Sequence, residues 1–371
     1  MTILVTGGAG FIGSHISVEL LNAGYNLMIV DNFSNSNPEV LRRIQKITGK
    51  SFEIHQIDLL NEKDLERVFI ENRIEAVIHL AGLKAVGESV VEPLKYYRTN
   101  INSTINLCKL MKKYHVRKLV FSSSATVYGM PDKVPIAEDF PLKAMNPYGR
   151  TKLMIEEILQ DIYISDKQWS ISILRYFNPI GAHESGLIGD NPNGIPNNLM
   201  PFITKVAIGE LKELKVFGQH YPTIDGTGVR DYIHVIDLAK GHVAALDKVL
   251  KTNSINTYNL GTGQGYSVLE IITAFESITG IKIPFQLSEP RLGDIAICYA
   301  DSSKAKMELG WEAEKGIIEM CRDAWRWQRK NPNGYQDNKL ISNSRIRDSG
   351  LMNMESTEEV EKNVVDEKTY T

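Results

Sequence analysis

Two residues whose types and spacing suit proton transfer, Tyr148 and Lys152, stand at the start of a predicted helix that runs to Ile164. The four-residue spacing places both side chains on one helix face. A tyrosine hydroxyl has an ordinary pKa of about 10, so it needs help to act as a base at neutral pH. A nearby ammonium would lower that pKa. The pair predicts a catalytic base and its partner; the alternative is an exposed Tyr–Lys pair without chemistry.

The beginning of the chain combines a short apolar run, Ile3 to Val5, with a cluster of glycines and a predicted helix from Ser14 to Leu21. A strand, a glycine-rich turn and a helix in this order are typical of dinucleotide-binding sites. Glycine lets a diphosphate approach the backbone, and the helix N-terminus offers free N–H groups. The alternative is a tight turn that only packs a helix on a sheet. The glycines are Gly7, Gly8, Gly10 and Gly13.

A second apolar run, Asn26 to Val30, ends at Asp31, a carboxylate placed 18 residues after Gly13. This is close to the spacing at which an acidic residue binds the 2′-hydroxyl of the cofactor ribose. A 2′-phosphate would face a like charge there, so the sequence favours NAD over NADP.

The strand and helix patterns continue to alternate through the first half of the chain. Alternation of this kind predicts an α/β fold, a doubly wound parallel sheet of the Rossmann type with helices on both faces. Ligands bind beyond the carboxyl ends of such strands, where Asp58, Ala81 and Ser124 are predicted to meet. The further strands are predicted at 52–57, 76–81 and 119–121, and the further helices at 41–47, 62–70 and 100–114.

The sequence indicates three regions. Residues 1–176 are predicted to form the NAD-binding Rossmann domain with the Tyr–Lys pair. Residues 177–337 are predicted to form a smaller, mixed α/β substrate-binding region, parts of which return to the first sheet. Residues 338–371 form a polar, acid-rich tail for which we expect disorder.

Composition excludes several classes of function. A net charge of −3 over 371 residues gives no reason to expect nucleic acid as a partner. The cysteines, Cys108, Cys298 and Cys321, lie far apart and suggest neither a disulfide framework nor a metal site. No basic and apolar leader precedes the first strand, and no apolar run is long enough to cross a membrane. We therefore expect a cytoplasmic enzyme without a resident metal and without a membrane partner.

Several motifs resemble those of the extended short-chain dehydrogenase/reductase family, and within it the UDP-glucose 4-epimerases. The resemblance spans about residues 1–337. It implies an isomerase that interconverts UDP-galactose and UDP-glucose through a transient 4-keto sugar, with tightly bound NAD that is recycled, and that also accepts the N-acetylated pair. The motifs are TGGAGFIG (6–13), HLAGLKAVGESV (79–90), SSSATVYG (122–129), YGRTK (148–152), LRYFNPIGAH (174–183), IPNNLMP (195–201), DGTGVRDYIHV (225–235) and YNLGTG (258–263).

The resemblance also implies roles for individual residues. Tyr148 takes the proton of the sugar 4-hydroxyl, Lys152 assists it and bonds the nicotinamide ribose, and Ser124 orients the hydroxyl. Thr99 stands where some relatives carry asparagine, so Asn100 is the predicted cofactor contact at this point. The implied NAD-binding residues are Gly7, Gly10, Phe11, Ile12, Gly13, Asp31, Asn32, Asn35, Ser36, Asp58, Leu59, Leu80, Ala81, Lys84, Asn100, Tyr148, Lys152, Tyr176 and Phe177.

The implied substrate contacts include two arginines, whose forked and permanently charged side chains suit a diphosphate. The alternative for Arg230 is a surface pair with Asp231, and the alternative for Arg291 is a solvated side chain. The full set is Ser124, Asn178, Asn198, Leu199, Phe217, Arg230, Arg291, Asp294 and Cys298.

Cys298 bears on substrate range. Some members of the family have a tyrosine against the C2 substituent of the sugar at this position, and a small side chain leaves more room. We therefore expect N-acetylated substrates to be accepted; the alternative is that Cys298 is an ordinary small core residue.

The predicted helices 100–114 and 148–164 carry apolar residues on more than one face, which favours pairing with a second subunit. The family is usually a homodimer through two such helices. Three other functions stay open: another nucleotide-sugar epimerase, a 4,6-dehydratase and a non-catalytic NAD sensor. Dehydratases usually carry Asp-Glu where this chain has Ala125 and Thr126, and the intact Ser124, Tyr148 and Lys152 argue against a sensor.

Overall fold

The structure is a computed structural model that describes residues 1–192, 194, 196, 198–290 and 294–336; the predicted tail, 338–371, lies outside these residues. Met1–Tyr335 form one compact unit. Its strands are β1 (Thr2–Thr6), β2 (Asn26–Asp31), β3 (Glu53–Gln56), β4 (Ala76–His79), β5 (Lys118–Ser122), β6 (Ser170–Tyr176), β7 (Asn178–Ile180), β8 (Leu214–Phe217), β9 (Val229–His234), β10 (Ile255–Leu260), β11 (Gly265–Ser267), β12 (Phe285–Ser288) and β13 (Ile297–Cys298).

The helices alternate with the strands over much of the chain. They are α1 (Phe11–Asn22), α2 (Glu39–Thr48), α3 (Glu62–Glu71), α4 (Val86–Val91), α5 (Pro93–Tyr96), α6 (Asn102–Lys113), α7 (Pro147–Ser165), α8 (Leu199–Ala207), α9 (Val235–Lys251), α10 (Val268–Thr279), α11 (Ser303–Leu309) and α12 (Ile317–Lys330). Among the described residues, no helix is both long and apolar enough to span a membrane.

The main sheet has seven parallel strands in the order β10-β6-β5-β4-β1-β2-β3. The predicted doubly wound α/β fold is therefore confirmed. The order reverses between β1 and β4, and a crevice opens at such a point beyond the carboxyl ends of the strands. The edge strand β10 comes from the second half of the chain. The main sheet therefore extends beyond the predicted first domain, which ends at residue 176.

Successive side chains of a strand point to opposite sides, so the apolar strands carry apolar side chains on both faces of the sheet. Helices cover and bury both faces. Ile3 and Val5 of β1 pack with α1, α2 and α9 in one core, whereas Leu4 packs with α3, α6 and α7 in another. All three side chains are fully buried. Helices on both faces hold the strand ends in fixed positions, which is what a site built at those ends requires.

The second half of the chain builds a smaller α/β region around β9. This strand pairs with β7 and β13 in parallel and with β11 in antiparallel orientation, while β8 and β12 form a separate parallel pair. Helices α8, α10 and α12 cover these strands through a third apolar core that includes Ile203, Phe275 and Met320.

One predicted helix differs from the structure at its beginning. The sequence pattern predicted a helix from Asn100 to Tyr114, but the segment Tyr97–Ile101 is a π-helical turn that continues from α5 and leads into α6. The extra residue per turn rotates the side chains of this segment relative to a regular helix, and such turns are common at functional sites. Asn100 lies in this turn and is buried.

Candidate active site

The glycine-rich turn connects β1 to α1 at the reversal point of the sheet. Gly7 has a positive φ of 71°, and a Cβ there would lie 2.8 Å from the backbone nitrogen of Ala81. A Cβ on Gly13 would lie 2.2 Å from the carbonyl oxygen of Gly7. These two glycines are therefore required by the packing of the turn itself. A Cβ on Gly10 would meet only that same oxygen, at 3.4 Å, so the turn itself leaves space beside Gly10.

Asp31 ends β2 and ties the glycine turn to the loop before α2. Its carboxylate accepts hydrogen bonds from the backbone N–H of Ala9 (3.0 Å), from that of Phe33 (2.9 Å) and from the hydroxyl of Ser36 (2.9 Å). A carboxylate has about four lone-pair sites, so it retains capacity for a further donor such as a ribose hydroxyl. Asn32 in the same loop donates to Asp58, 3.1 Å away.

A small cleft that is open to solvent lies against the glycine turn. Its far wall comes from distant parts of the chain, namely the segment 189–192 and Tyr335. The hydroxyl of Tyr335 donates to the carbonyl of Gly189 at 3.1 Å. Five of the predicted cofactor contacts line the cleft, namely Gly10, Phe11, Asn35, Ser36 and Lys84.

A clamp around Arg43 holds this far wall in place. The guanidinium donates to the carbonyl of Leu187 (3.0 Å) and to Oδ1 of Asn331 (2.6 Å). It also lies over the rings of Trp327 and Tyr335, at 5.7 and 5.0 Å from their centroids. The clamp joins α2, the 183–192 segment and the end of α12 into one structure beside the cleft.

These residues fit a dinucleotide. Helix α1 begins at Gly10 without a side-chain cap, so its first N–H groups stay available to a diphosphate at the positive end of the helix dipole. The space beside Gly10 and the carboxylate of Asp31 complete the donor and acceptor set. The remaining predicted cofactor residues lie along the same edge of the sheet or pack beneath it: Ile12 in α1, Asp58 and Leu59 after β3, and Leu80 and Ala81 after β4.

Asn100 holds the loop after β4 in position. Its Oδ1 accepts the N–H of Leu83 (2.8 Å), and its Nδ2 donates to the carbonyl of Leu83 and to the hydroxyl of Thr151, both at 3.0 Å. Both amide hydrogens are used inside the protein. This geometry favours a supporting role for Asn100 over the direct cofactor contact predicted from the sequence.

Tyr148 and Lys152 lie on one face of α7, as their spacing predicts. Pro147 occupies the first turn of this helix, and the side chain of Asn146 caps it by accepting the N–H of Gly149 at 2.9 Å. The Lys152 ammonium donates to the carbonyl of Ser122 (2.7 Å) and lies 6.0 Å from the centroid of the Tyr148 ring. Both side chains are buried.

Burial acts on the pKa values of the two residues in opposite directions. It raises the pKa of Tyr148, an effect opposed by the interaction with Ser124. It lowers the pKa of Lys152 to about 8, an effect opposed by the charge of Glu156. In both cases burial disfavours the charged form. Burial therefore favours the neutral phenol of Tyr148, and a further positive charge beside it would favour the tyrosinate.

Three serines follow one another where β5 ends, and each has a different partner. Ser122 bonds His242 (Oγ to Nε2, 3.2 Å), Ser123 donates to Glu156, and Ser124 faces Tyr148. Tyr176, at the end of β6, interacts with Ser122 and lies near Tyr148, and burial raises its pKa. Phe177 follows and packs in a small apolar core. Of the two residues predicted to face the nicotinamide, the structure thus brings Tyr176 close to Tyr148.

Beneath this cluster lies a buried network that the sequence reading missed. Glu156 follows Lys152 by one helical turn and pairs with Arg175 at 2.6 Å, both side chains being almost fully buried. Arg175 also donates to the hydroxyl of Tyr128 (3.0 Å), which in turn donates to Asn259 (2.6 Å). The four-residue spacing from Lys152 to Glu156 was the available signal; nothing local indicated the partner on β6.

On the substrate side, β9 carries Arg230 with its neighbours in register. Cys298 of β13 pairs with Arg230, and Asn178 of β7 pairs with Tyr232. The Arg230 guanidinium donates to the carbonyl of Val229 (2.9 Å) and stays partly exposed. Cys298 is 7% exposed and shares the small apolar core of Phe177, which connects the two halves of the site.

The suggested surface pair of Arg230 and Asp231 is wrong. Asp231 is fully buried and accepts hydrogen bonds from the N–H groups of Thr262 (2.9 Å), Gly263 (3.0 Å) and Ala300 (3.1 Å), and from the Thr262 hydroxyl (2.7 Å). Alternation along the strand sends the two side chains to opposite faces.

The other predicted substrate contacts lie on neighbouring elements. Asn198 precedes α8 and is exposed, Leu199 begins this helix, and Phe217 ends β8. Asp294 lies in the segment before β13 and has an interacting partner. Arg291 lies outside the described residues. Among the described residues, no group of histidines, cysteines or carboxylates is arranged to hold a metal ion.

Comparison with known proteins agrees with this architecture. A family model described as the NAD dependent epimerase/dehydratase family matches residues 3–261. The chain belongs to the NAD dependent epimerase/dehydratase family. Within it, the chain is 61% identical over 336 residues to the UDP-glucose 4-epimerase of Bacillus subtilis (strain 168), an alignment that covers 91% of this chain and 99% of that protein.

Solved structures of family members show the same fold. The UDP-glucose 4-epimerase of Bifidobacterium longum, crystallised with NAD+ and UDP, is 56% identical and superimposes with a TM-score of 0.88 over 90% of this chain and all of that one (100%). The UDP-Glc/GlcNAc 4-epimerase of Campylobacter jejuni is 34% identical, with a TM-score of 0.77 over 89% of this chain and 99% of that one. The resemblance to UDP-glucose 4-epimerases noted in the sequence is confirmed.

Proposed function

We propose that this protein interconverts UDP-galactose and UDP-glucose by inverting C4 of the sugar, with NAD held in the cleft at the glycine turn. The observation that carries the proposal is the buried group of Ser124, Tyr148 and Lys152 beyond β5, at the edge where the sheet also presents Asp31. Relatives that the chain matches over nearly their whole length are UDP-glucose 4-epimerases.

Each side chain of this group has a proposed role that follows from its chemistry. Tyr148 Oη takes the proton of the sugar 4-hydroxyl and returns it after the 4-keto sugar has turned over. Lys152, charged below its pKa of about 8, stabilises the tyrosinate, and we propose that it also bonds the nicotinamide ribose. When bound, NAD supplies the redox chemistry, taking the C4 hydrogen and giving it back, and its positively charged nicotinamide lowers the pKa of Tyr148. Burial of the site keeps water away from the keto sugar.

We propose that two arginines bind the diphosphate of the substrate. Arg230 presents a permanently charged fork from β9, and we propose that Arg291 joins it. Asn178, Asn198, Leu199, Phe217 and Asp294 complete the proposed nucleotide-sugar contacts.

The neighbouring functions have less support. A 4,6-dehydratase needs an acid after Ser124, where this chain has Ala125 and Thr126. A non-catalytic NAD sensor has no need for Tyr148 and Lys152 to be buried together on one helix face beside Ser124.

N-acetylated UDP-sugars are the proposed second substrate pair. Cys298 is a small side chain that lies in register with Arg230 and packs near Phe177, so it leaves room for a substituent at C2 of the sugar. The structural relative from Campylobacter jejuni is named for both glucose and N-acetylglucosamine substrates.

We also propose that the enzyme is a homodimer. Apolar side chains are exposed on adjoining helices: Val91 on α4 (76% exposed), Leu94 on α5 (81%), Ile105 on α6 (44%) and Met154 on α7 (37%). Such a patch marks an interaction surface. Analytical ultracentrifugation at micromolar concentration is expected to give twice the chain mass, and a monomer would contradict the proposal. The cytoplasmic location stays a prediction.

The deciding experiment measures conversion of UDP-galactose to UDP-glucose by the purified protein without added NAD, together with the NAD released when the protein is denatured. We expect turnover and close to one NAD per chain. The same preparation is then assayed with UDP-N-acetylglucosamine. Bound NAD without turnover of any UDP-sugar would favour the sensor, whereas turnover of the N-acetylated pair alone would shift the substrate assignment.

A further inference from the structure

Ser124 Oγ accepts two hydrogen bonds from one residue, Thr126. The backbone N–H of Thr126 donates at 3.2 Å and its hydroxyl donates at 3.0 Å. A serine hydroxyl has two lone pairs and a single hydrogen. Both lone pairs of Ser124 are therefore filled from within the protein, and the one remaining capacity of this hydroxyl is to donate.

Thr126 is fixed in the position from which it makes these bonds. It lies in the 3₁₀ turn Ala125–Tyr128, which the Ser124 side chain caps. It also packs against the first turn of α7: a Cβ on Gly149 would lie 3.0 Å from the Thr126 carbonyl oxygen and 3.1 Å from its Oγ1. Glycine next to Tyr148 thus allows Thr126 to lie directly beside the catalytic helix.

We propose that Thr126 is a positioning residue that makes Ser124 a pure hydrogen-bond donor toward the reacting sugar oxygen. The inference rests on the proposed function. A hydroxyl whose lone pairs are both occupied does not receive the proton of the sugar 4-hydroxyl, so this proton moves directly to Tyr148 and is not relayed through Ser124.

The resulting step balances without another reagent. The O4–H bond breaks, its proton forms a bond with Tyr148 Oη, and the C4 hydrogen leaves with its electron pair to the oxidised nicotinamide. The hydrogen of Ser124 stays on Ser124 and donates to O4 as that oxygen becomes a carbonyl. The donated hydrogen bond strengthens while negative charge passes through O4, so it acts on the transition state more than on the bound substrate.

Two substitutions separate the donor from the shape of Thr126. Thr126→Val keeps the branched shape that packs against Gly149 but removes the hydroxyl. Thr126→Ser keeps the hydroxyl but removes the methyl group. We expect Thr126→Val to lower kcat about tenfold with less than about a threefold change in KM for UDP-galactose, the size of effect expected for one hydrogen bond to a polar transition state. Thr126→Ser is expected to retain most of kcat.

The controls are the thermal unfolding midpoint and the NAD content of each variant, both expected to match the parent. Unchanged kcat in Thr126→Val would overturn the inference, as would an equal loss in Thr126→Ser, since the methyl contact would then carry the effect. A parent protein without turnover would remove the proposed function and this inference together. If the parent converts UDP-galactose but Thr126→Val leaves kcat unchanged, the inference is wrong and the proposed function stands.

Discussion

Helix α7 and strand β9 both present charged side chains to the proposed substrate, but they hold them in different ways. On α7, Lys152 is buried, bonded to a carbonyl and backed one turn later by Glu156 with its own buried partner. On β9, Arg230 is partly exposed and bonds the carbonyl of the preceding residue, Val229. The proposed catalytic residues are thus fixed in the buried core, whereas the proposed substrate-binding arginine lies on a more exposed strand face.

This contrast predicts which substitutions the protein tolerates in each of the two regions. When one partner of a buried polar pair is removed, the protein is expected to lose stability and catalytic activity together. A partly exposed side chain on a strand face can be exchanged with effects confined to binding or specificity. Four predictions test this contrast.

Removal of the Tyr148 hydroxyl is expected to have the largest effect. Tyr148→Phe should lower kcat for UDP-galactose by about 10³-fold, within the range for loss of a general base, because it removes the hydroxyl that is proposed to take the proton. NAD content and the unfolding midpoint should stay at parent values. Loss of NAD in this variant would instead indicate that Tyr148 mainly holds the cofactor.

Breaking the buried pair beneath Lys152 is expected to come next. Glu156→Gln leaves Arg175 charged and buried without its partner, which should lower the free energy of unfolding by about 3 kcal/mol in urea titrations. Glu156→Gln with Arg175→Met should recover much of this loss. The matched control is Glu62→Gln, which breaks the exposed pair with Lys109 and should cost less than about 1 kcal/mol. Equal losses in the two single variants would contradict the contrast.

Filling the space at Cys298 is expected to change specificity. Because Cys298 is buried in the small apolar core of Phe177, the larger side chain should also lower stability. Cys298→Tyr should lower kcat/KM for UDP-N-acetylglucosamine at least about tenfold, because the ring takes the room next to C2. The value for UDP-galactose should change less than about threefold. Cys298→Ser, which preserves the size, serves as the control. Parallel loss of both activities would mean that Cys298 is a core residue without a role in selection.

The smallest effect concerns pH. Burial lowers the pKa of Lys152 to about 8, so its charge is present below that value and is lost as the pH rises through it. We expect kcat to decline above about pH 8, by about tenfold per unit at the steepest. The proposed diphosphate contacts do not depend on Lys152, so KM should stay flat over the same range. A kcat that is constant to pH 9.5 would show that the Lys152 charge is not required.

The parts of the site built from neighbouring residues could be read from the sequence. The strand–glycine–helix unit, the carboxylate at the end of β2 and the Tyr–Lys spacing are local features of the sequence, and each lies within one strand, turn or helix. The parallel sheet followed from the alternation of elements. The exact helix limits did not, since the π-helical turn at Tyr97–Ile101 depends on how α5 and α6 pack.

The supporting side chains could not be read in this way because their partners are distant in sequence. Arg175 meets Glu156 across two elements, and Asp231 meets a loop 31 residues later and Ala300. The hydrogen bonds of the Asn100 amide with Leu83 and Thr151 likewise join residues that are distant in sequence. Motifs identify reactive groups; the buried polar partners that fix those groups become visible only in three dimensions.

The clamp of Arg43, Asn331 and Tyr335 has a consequence for the order of events during synthesis. The glycine turn is synthesised long before the residues that hold the far wall of its cleft: Tyr335 bonds Gly189 across 146 positions of the chain. A nascent polypeptide therefore has only an open, one-sided groove for a dinucleotide. We therefore expect lasting binding of the proposed coenzyme only after Tyr335 has been synthesised.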